Sequence, residues 1–104
     1  MSDTEKTLTT AQQDALDAAT FRKLLKHLDE NKEVQNIDLM ILAGFCRNCL
    51  YKWYKSAGEE AGLDVDLDMA QKRVYGMAYS DWKAAYQPKA TPEQLAAFEA
   101  RSKC

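Results

Sequence analysis

The sequence predicts an all-α domain, a compact array of four to five helices around a long central one. Three observations carry this expectation. Apolar residues recur at spacings of three and four along most of the chain, no stretch alternates with period two, and no Asn-Gly or Asp-Gly hairpin turn occurs. The 104 residues include only four Gly and two Pro, with 46% hydrophobic and 29% charged side chains, the composition of one folded globular unit rather than a linker. A single helical domain is expected over 10–104. Before it, over 1–9, polar residues without any period predict a frayed or disordered lead.

The first helix is expected over 10–31. Thr10 and Gln13 stand at capping-box spacing, and Leu16, Thr20, Phe21, Leu24, Leu25 and Leu28 follow at helical intervals. Its other side carries Arg22, Lys23, Lys26 and Asp29, a solvated face that needs no ligand. The central helix is expected to run unbroken from the cap at Asn36 to the stop at Gly62. On its wheel Leu39, Leu42, Ala43, Cys46, Cys49, Leu50, Trp53 and Ala57 share an inward arc, while Arg47, Asn48, Tyr51, Lys52, Lys55 and Glu59 face outward. Met40, Ile41 and Gly44 make its first half apolar nearly all round, which requires cover on both sides.

Asp64, Asp66 and Asp68 lead into a short helix bearing Leu67, Ala70, Val74 and Tyr75, which Gly76 breaks. Another short helix, capped by Ser80, carries Trp82, Ala85 and Tyr86. Thr91-Pro92-Glu93-Gln94 combines a cap, a proline at the first helical position and a box residue, so a final helix runs through Leu95 and Phe98.

Fourteen Lys and Arg against sixteen Asp and Glu leave a net charge of -2, so no global field holds a polyanion and a nucleic-acid partner is not expected. The first six residues have neither the basic start nor the apolar core of a signal peptide. The longest apolar run, Leu39 to Cys46, falls far short of a membrane span. A soluble, cytoplasmic protein with no membrane partner is expected. Three cysteines is an odd number, and Cys46 and Cys49 fall within a helical pattern, which fits a reducing compartment.

Cys46-Arg47-Asn48-Cys49 places two thiols on one helix face, a spacing suited to two metal bonds. A structural zinc takes four ligands, and the other candidates are His27 and Cys104, so the metal reading is a transition metal such as zinc held by Cys46, Cys49 and His27. Against it stand two simpler readings. The cysteines can be small core hydrophobes, and His27 can be an imidazole hydrogen-bonded near a helix end. A redox pair would begin at an exposed helix N-terminus, whereas the expected helix carries Cys46 well inside. No cofactor is therefore expected by default. Asp64, Asp66 and Asp68 mimic the start of a calcium loop but lack its glycine and its glutamate, Met69 and Tyr75 standing there instead. Both Trp and all five Tyr lie within 51–86 beside cations, which marks a candidate interaction surface of Arg47, Asn48, Tyr51, Tyr75, Met77 and Trp82. There is no Ser-His-Asp arrangement and no phosphate loop, so nothing indicates an enzyme.

The strings Asn36-Ile37-Asp38-Leu39-Met40, Gly44-Phe45-Cys46-Arg47-Asn48-Cys49-Leu50, Lys52-Trp53-Tyr54 and Val74-Tyr75-Gly76-Met77-Ala78-Tyr79, followed by Trp82-Lys83, resemble the family of short bacterial proteins known as domain of unknown function 1244. The resemblance extends from about Phe21 to Phe98 and implies a small helical protein in a bacterial cytosol. It implies no activity and transfers no site residue. Where the family pattern is expected to have proline, this chain has Ala78, which loosens the turn after Gly76. Together these readings favour a small helical protein-interaction module, homodimeric or bound to another protein, with metal binding through Cys46 and Cys49 as the alternative.

Overall fold

A computed structural model describes residues 7–101. Among them are six helices and no strand: α1 (Thr10–Glu30), α2 (Asn36–Ala43), α3 (Arg47–Glu60), α4 (Leu67–Tyr75), α5 (Tyr79–Tyr86) and α6 (Pro92–Glu99). The all-α class stands. Residues 1–6 of the expected lead, and Cys104, lie outside the described residues.

The long central helix is corrected to two. Gly44 adopts the left-handed conformation at φ 78° and donates its N–H to the Met40 carbonyl, which closes α2. Cys46 is extended and becomes the N-cap of α3. The break raises the helix number to six. It is invisible in composition because Gly44-Phe45-Cys46 interrupts an apolar run without inserting a polar capping residue.

Caps elsewhere explain the remaining boundaries. Thr9 rather than Thr10 opens α1, its hydroxyl accepting from Gln12 N at 3.0 Å while Gln12 Oε1 accepts from Thr9 N at 2.9 Å. Gln35 rather than Asn36 precedes α2, and Ala78 rather than Ser80 precedes α5. At α6 the expected box is present, with Thr91 Oγ1 and Gln94 Oε1 accepting from each other's backbone at 3.1 and 2.8 Å.

Packing forms two apolar clusters. The larger joins Leu25 of α1, Leu50 and Tyr51 of α3, Ala70, Val74 and Tyr75 of α4 and Trp82 of α5. Full burial of an aromatic side chain such as Trp82 contributes roughly 1.5–3 kcal/mol. Its ring meets Tyr75 at 4.8 Å and Tyr86 at 5.7 Å in tilted contacts. The smaller cluster, Met40, Cys46 and Cys49 with Leu39, Phe45 and Phe98 against them, lies where α2, α3 and α6 meet.

Only the C-terminal half of α1 joins the body, through Phe21, Leu24, Leu25 and Leu28. Residues 11–20 are exposed throughout. Stepping back along the packed line by helical intervals gives Asp17, Asp14 and Thr10, which have no apolar surface to bury. Among the described residues no helix is long and apolar enough to cross a membrane.

Candidate functional site

The most elaborate polar constellation is centred on Arg47, the first residue of α3, whose side chain is only 2% exposed. Buried guanidinium groups require acceptors for their fork of N–H donors. Here the end of α1 supplies them, since its last carbonyls have no helical donor of their own. Nη2 donates to the carbonyls of Leu28 at 3.2 Å and Asn31 at 3.1 Å, and Nη1 donates to the Val34 carbonyl at 2.7 Å and Asn36 Oδ1 at 3.0 Å. Beneath it lies the Trp82 ring, 5.1 Å from Cζ. No ion pair among the described residues involves Arg47. Burial lowers its pKa from the usual arginine value, and neighbouring groups, Tyr75 foremost, oppose that shift.

The polarity runs onward in one direction. Asn36 Nδ2 donates to the Tyr75 hydroxyl at 2.9 Å, and that hydroxyl donates to Asn48 Oδ1. Burial pushes the Tyr75 phenol above its ordinary pKa, against the opposing hydrogen bond from Asn36, so the ring stays protonated and able to donate. The chain from Arg47 through Asn36 and Tyr75 to Asn48 therefore ties α2, α3 and α4 together with oriented hydrogen bonds, and the Arg47 bond to the Leu28 carbonyl adds α1.

Asn36 and Asn48 also line a cavity of about 370 Å³ between α2, α3 and α6. Ile37, Met40, Cys46 and Phe98 supply its apolar and sulfur-bearing wall, and Lys52 is its cation. Cys46 carries a free thiol, and the Cys49 sulfur lies 4.0 Å from Met40 Sδ. Such a wall suits a small apolar group with one amide or amine contact at its rim. Among its described lining residues no carboxylate stands beside a histidine or lysine.

The residues singled out by sequence are distributed differently from expectation. Cys46 and Cys49 do share the buried sulfur cluster, but Cys46 sits at the N-cap of α3 and not deep within a helix. His27 is exposed on α1, in a groove with Arg22, Lys23, Lys26 and Glu30. Among the described residues no three His, Cys, Asp or Glu side chains converge as a metal set.

The expected interaction surface is corrected more strongly. Arg47, Tyr51, Tyr75 and Trp82 are buried, Asn48 and Met77 are half-buried, and Trp53, expected to face inward, is 53% exposed. The buried arc of α3 is centred between Arg47 and Leu50 because the end of α1 satisfies the guanidinium, which reverses the side a charge count assigns to it.

Sequence reasoning missed Asn36 as a bridge and Asp38 as a clamp. Asp38 Oδ2 accepts from Gln35 N at 3.2 Å, and Asp38 Oδ1 accepts from Gln94 Nε2 at 2.8 Å, which fastens α2 to α6. One signal was available. The first helix ends at Asn31-Lys32 without glycine, so its terminal carbonyls need donors from elsewhere in the chain.

A family model described as protein of unknown function (DUF1244) matches residues 34–100, a span that begins just before α2 and ends just after α6. No curated protein matches the chain.

Proposed function

The chain belongs to the DUF1244 family, whose function is unknown, and from that premise we propose that it is a small helical interaction module that self-associates through the N-terminal half of α1. One observation carries the reading, a reversal of the apolar face along α1. The packed residues Phe21, Leu24, Leu25 and Leu28 lie on one side, whereas Ala15 and Ala19, with Leu16 beside them, project from the opposite side. A straight helix cannot present both stripes to the same body. Leu16 is 54% exposed, so the second stripe is free to pair with the same stripe of another copy in an isologous contact. The polar line of Thr10, Asp14 and Asp17 then stays in water.

Sedimentation equilibrium of the full chain tests this reading. The wild type should show a concentration-dependent dimer in the micromolar range, and Leu16→Asp should remain monomeric with unchanged far-UV circular dichroism. A strict monomer at several hundred micromolar, or a dimer that Leu16→Asp leaves intact, sinks it.

A further inference from the structure

Between α1 and the turn that joins α4 to α5 lies a groove of about 450 Å³ with a pronounced charge imbalance. Among the described residues, Arg22, Lys26, Lys32 and Arg73 line it, against the single carboxylate of Asp29. Taken one helix at a time, each cation has a local reason to be there. Lys72 and Arg73 occupy the last turn of α4, where basic residues favour the negative end of the helix, and Arg22 and Lys26 belong to the solvated face of α1. Folding adds what neither helix contains alone, because it places the two basic sets across one concavity.

The cations are not equally engaged. Lys32 pairs with Asp29 at 2.8 Å, and Lys26 pairs weakly with Glu30 at 3.8 Å. Arg22 and Arg73 have no ion-pair partner among the described residues. Arg73 is nevertheless held in place. Its Cζ lies 5.9 Å from the ring of Phe21, the neighbour of Arg22, so the α4 guanidinium rests against α1. The opposite wall is aromatic, with Tyr86 covered by Lys32 Nζ at 5.3 Å from its ring. Like charges gathered in a groove repel, and a chain of net charge -2 has no surplus of cations that would force them together. Planar guanidinium forks match the oxygens of phosphate and carboxylate groups.

We propose that this groove binds a small oxyanion carrying at least two negative charges, with Arg22 and Arg73 gripping it from the two helices and Lys26 adding a third cation. The site uses none of the residues of the α1 stripe invoked for self-association, and it includes Arg73, which the first-helix basic cluster could not predict.

The test is calorimetric titration of the full chain at low salt with pyrophosphate and, separately, citrate. Pyrophosphate represents phosphate-bearing ligands and citrate polycarboxylates, so the stronger binder identifies the source of the oxyanion. Dissociation constants below about 1 mM are expected for at least one, weakened at least about fivefold by Arg22→Gln and by Arg73→Gln and unchanged by Lys83→Gln on α5. The amide resonances of Gly76 and Met77 should shift in the wild type on ligand addition, a readout that needs no variant to fold. No binding of either anion at about 5 mM overturns the proposal, as does equal weakening by Lys83→Gln, which would mean diffuse attraction.

Discussion

The Arg47 guanidinium donates to the carbonyl of Leu28 at 3.2 Å, so the first residue of α3 closes the last turn of α1. Three further acceptors, the carbonyls of Asn31 and Val34 and the side-chain oxygen of Asn36, complete its set. Arg47→Leu removes the charge and leaves all of these oxygens without their donor, for an expected loss of about 3–5 kcal/mol. Arg47→Lys should recover less than half of that loss, because a compact ammonium with three donors cannot span the acceptors that a planar fork reaches. Urea unfolding followed by circular dichroism measures both. A lysine variant within about 0.5 kcal/mol of wild type would show that the carbonyls are served by water instead.

Tyr75 should make stability fall in alkaline solution. Its phenol has a folded pKa raised above the ordinary value of 10.0, chiefly by burial. The unfolded chain therefore loses this proton first as pH rises. The contribution is fully present below about pH 10 and is lost above it, at no more than about 1.4 kcal/mol per pH unit. At neutral pH, Tyr75→Phe should cost about 1–2 kcal/mol, since it strips Asn36 and Asn48 of their shared partner. Above pH 10 the variant should lose stability less steeply than the wild type. Parallel curves for the two proteins would refute the assignment.

This hydrogen-bonded chain marks where sequence was informative and where it stopped. Local chemistry was legible, as the Thr91-Pro92-Gln94 start of α6 and the Gly76 stop of α4 show, because caps act within a few residues. The division between α2 and α3 was not, since Gly44 lies in an apolar run that a continuous helix would accommodate equally well. Nor was the burial of Arg47, Tyr51 and Tyr75. Residue type assigned Arg47 to water, and its acceptors come from a helix end remote in sequence that no periodicity within α3 reports.

Gly58 is required by close approach rather than by its backbone angles. A Cβ there would lie 2.5 Å from Val65 Cγ2 and 3.0 Å from Val65 Cβ, where the chain folds back over the end of α3. Leu63 N donating to the Gly58 carbonyl at 2.8 Å holds that return in place. Alanine gains about 1 kcal/mol of helix propensity over glycine, but overlap with a branched side chain costs about 1–3 kcal/mol. Gly58→Ala should therefore lower the thermal midpoint. Adding Val65→Ala, which removes Cγ2 but keeps Cβ at 3.0 Å, should make the glycine substitution less costly than it is alone, a coupling that a double-mutant cycle reads directly. Additive effects would mean that the loop moves aside freely.

Cys46 gives the most direct probe of the junction between α2 and α3. It is a free thiol at the N-cap of α3 and only 5% exposed, enclosed with Met40 and Cys49 and flanked by Phe45 and Phe98. A reagent can reach it by two routes, opening of the whole domain or local opening of the Gly44–Cys46 break. For a domain of ordinary stability, about 5 kcal/mol or more, the first route slows labelling by at least about a thousandfold relative to the unfolded chain. Peptide mapping after timed exposure to a thiol reagent should show Cys46 modified at that reduced rate, rising with urea in step with global unfolding. Gly44→Ala should raise the rate specifically, because a side chain at φ 78° strains the end of α2 and would also press on the Arg101 guanidinium at 3.1 Å. Fast labelling of the wild type without urea would place the break among the loosest parts of the molecule, and the smaller cluster could then not act as a fixed wall for the cavity beside it.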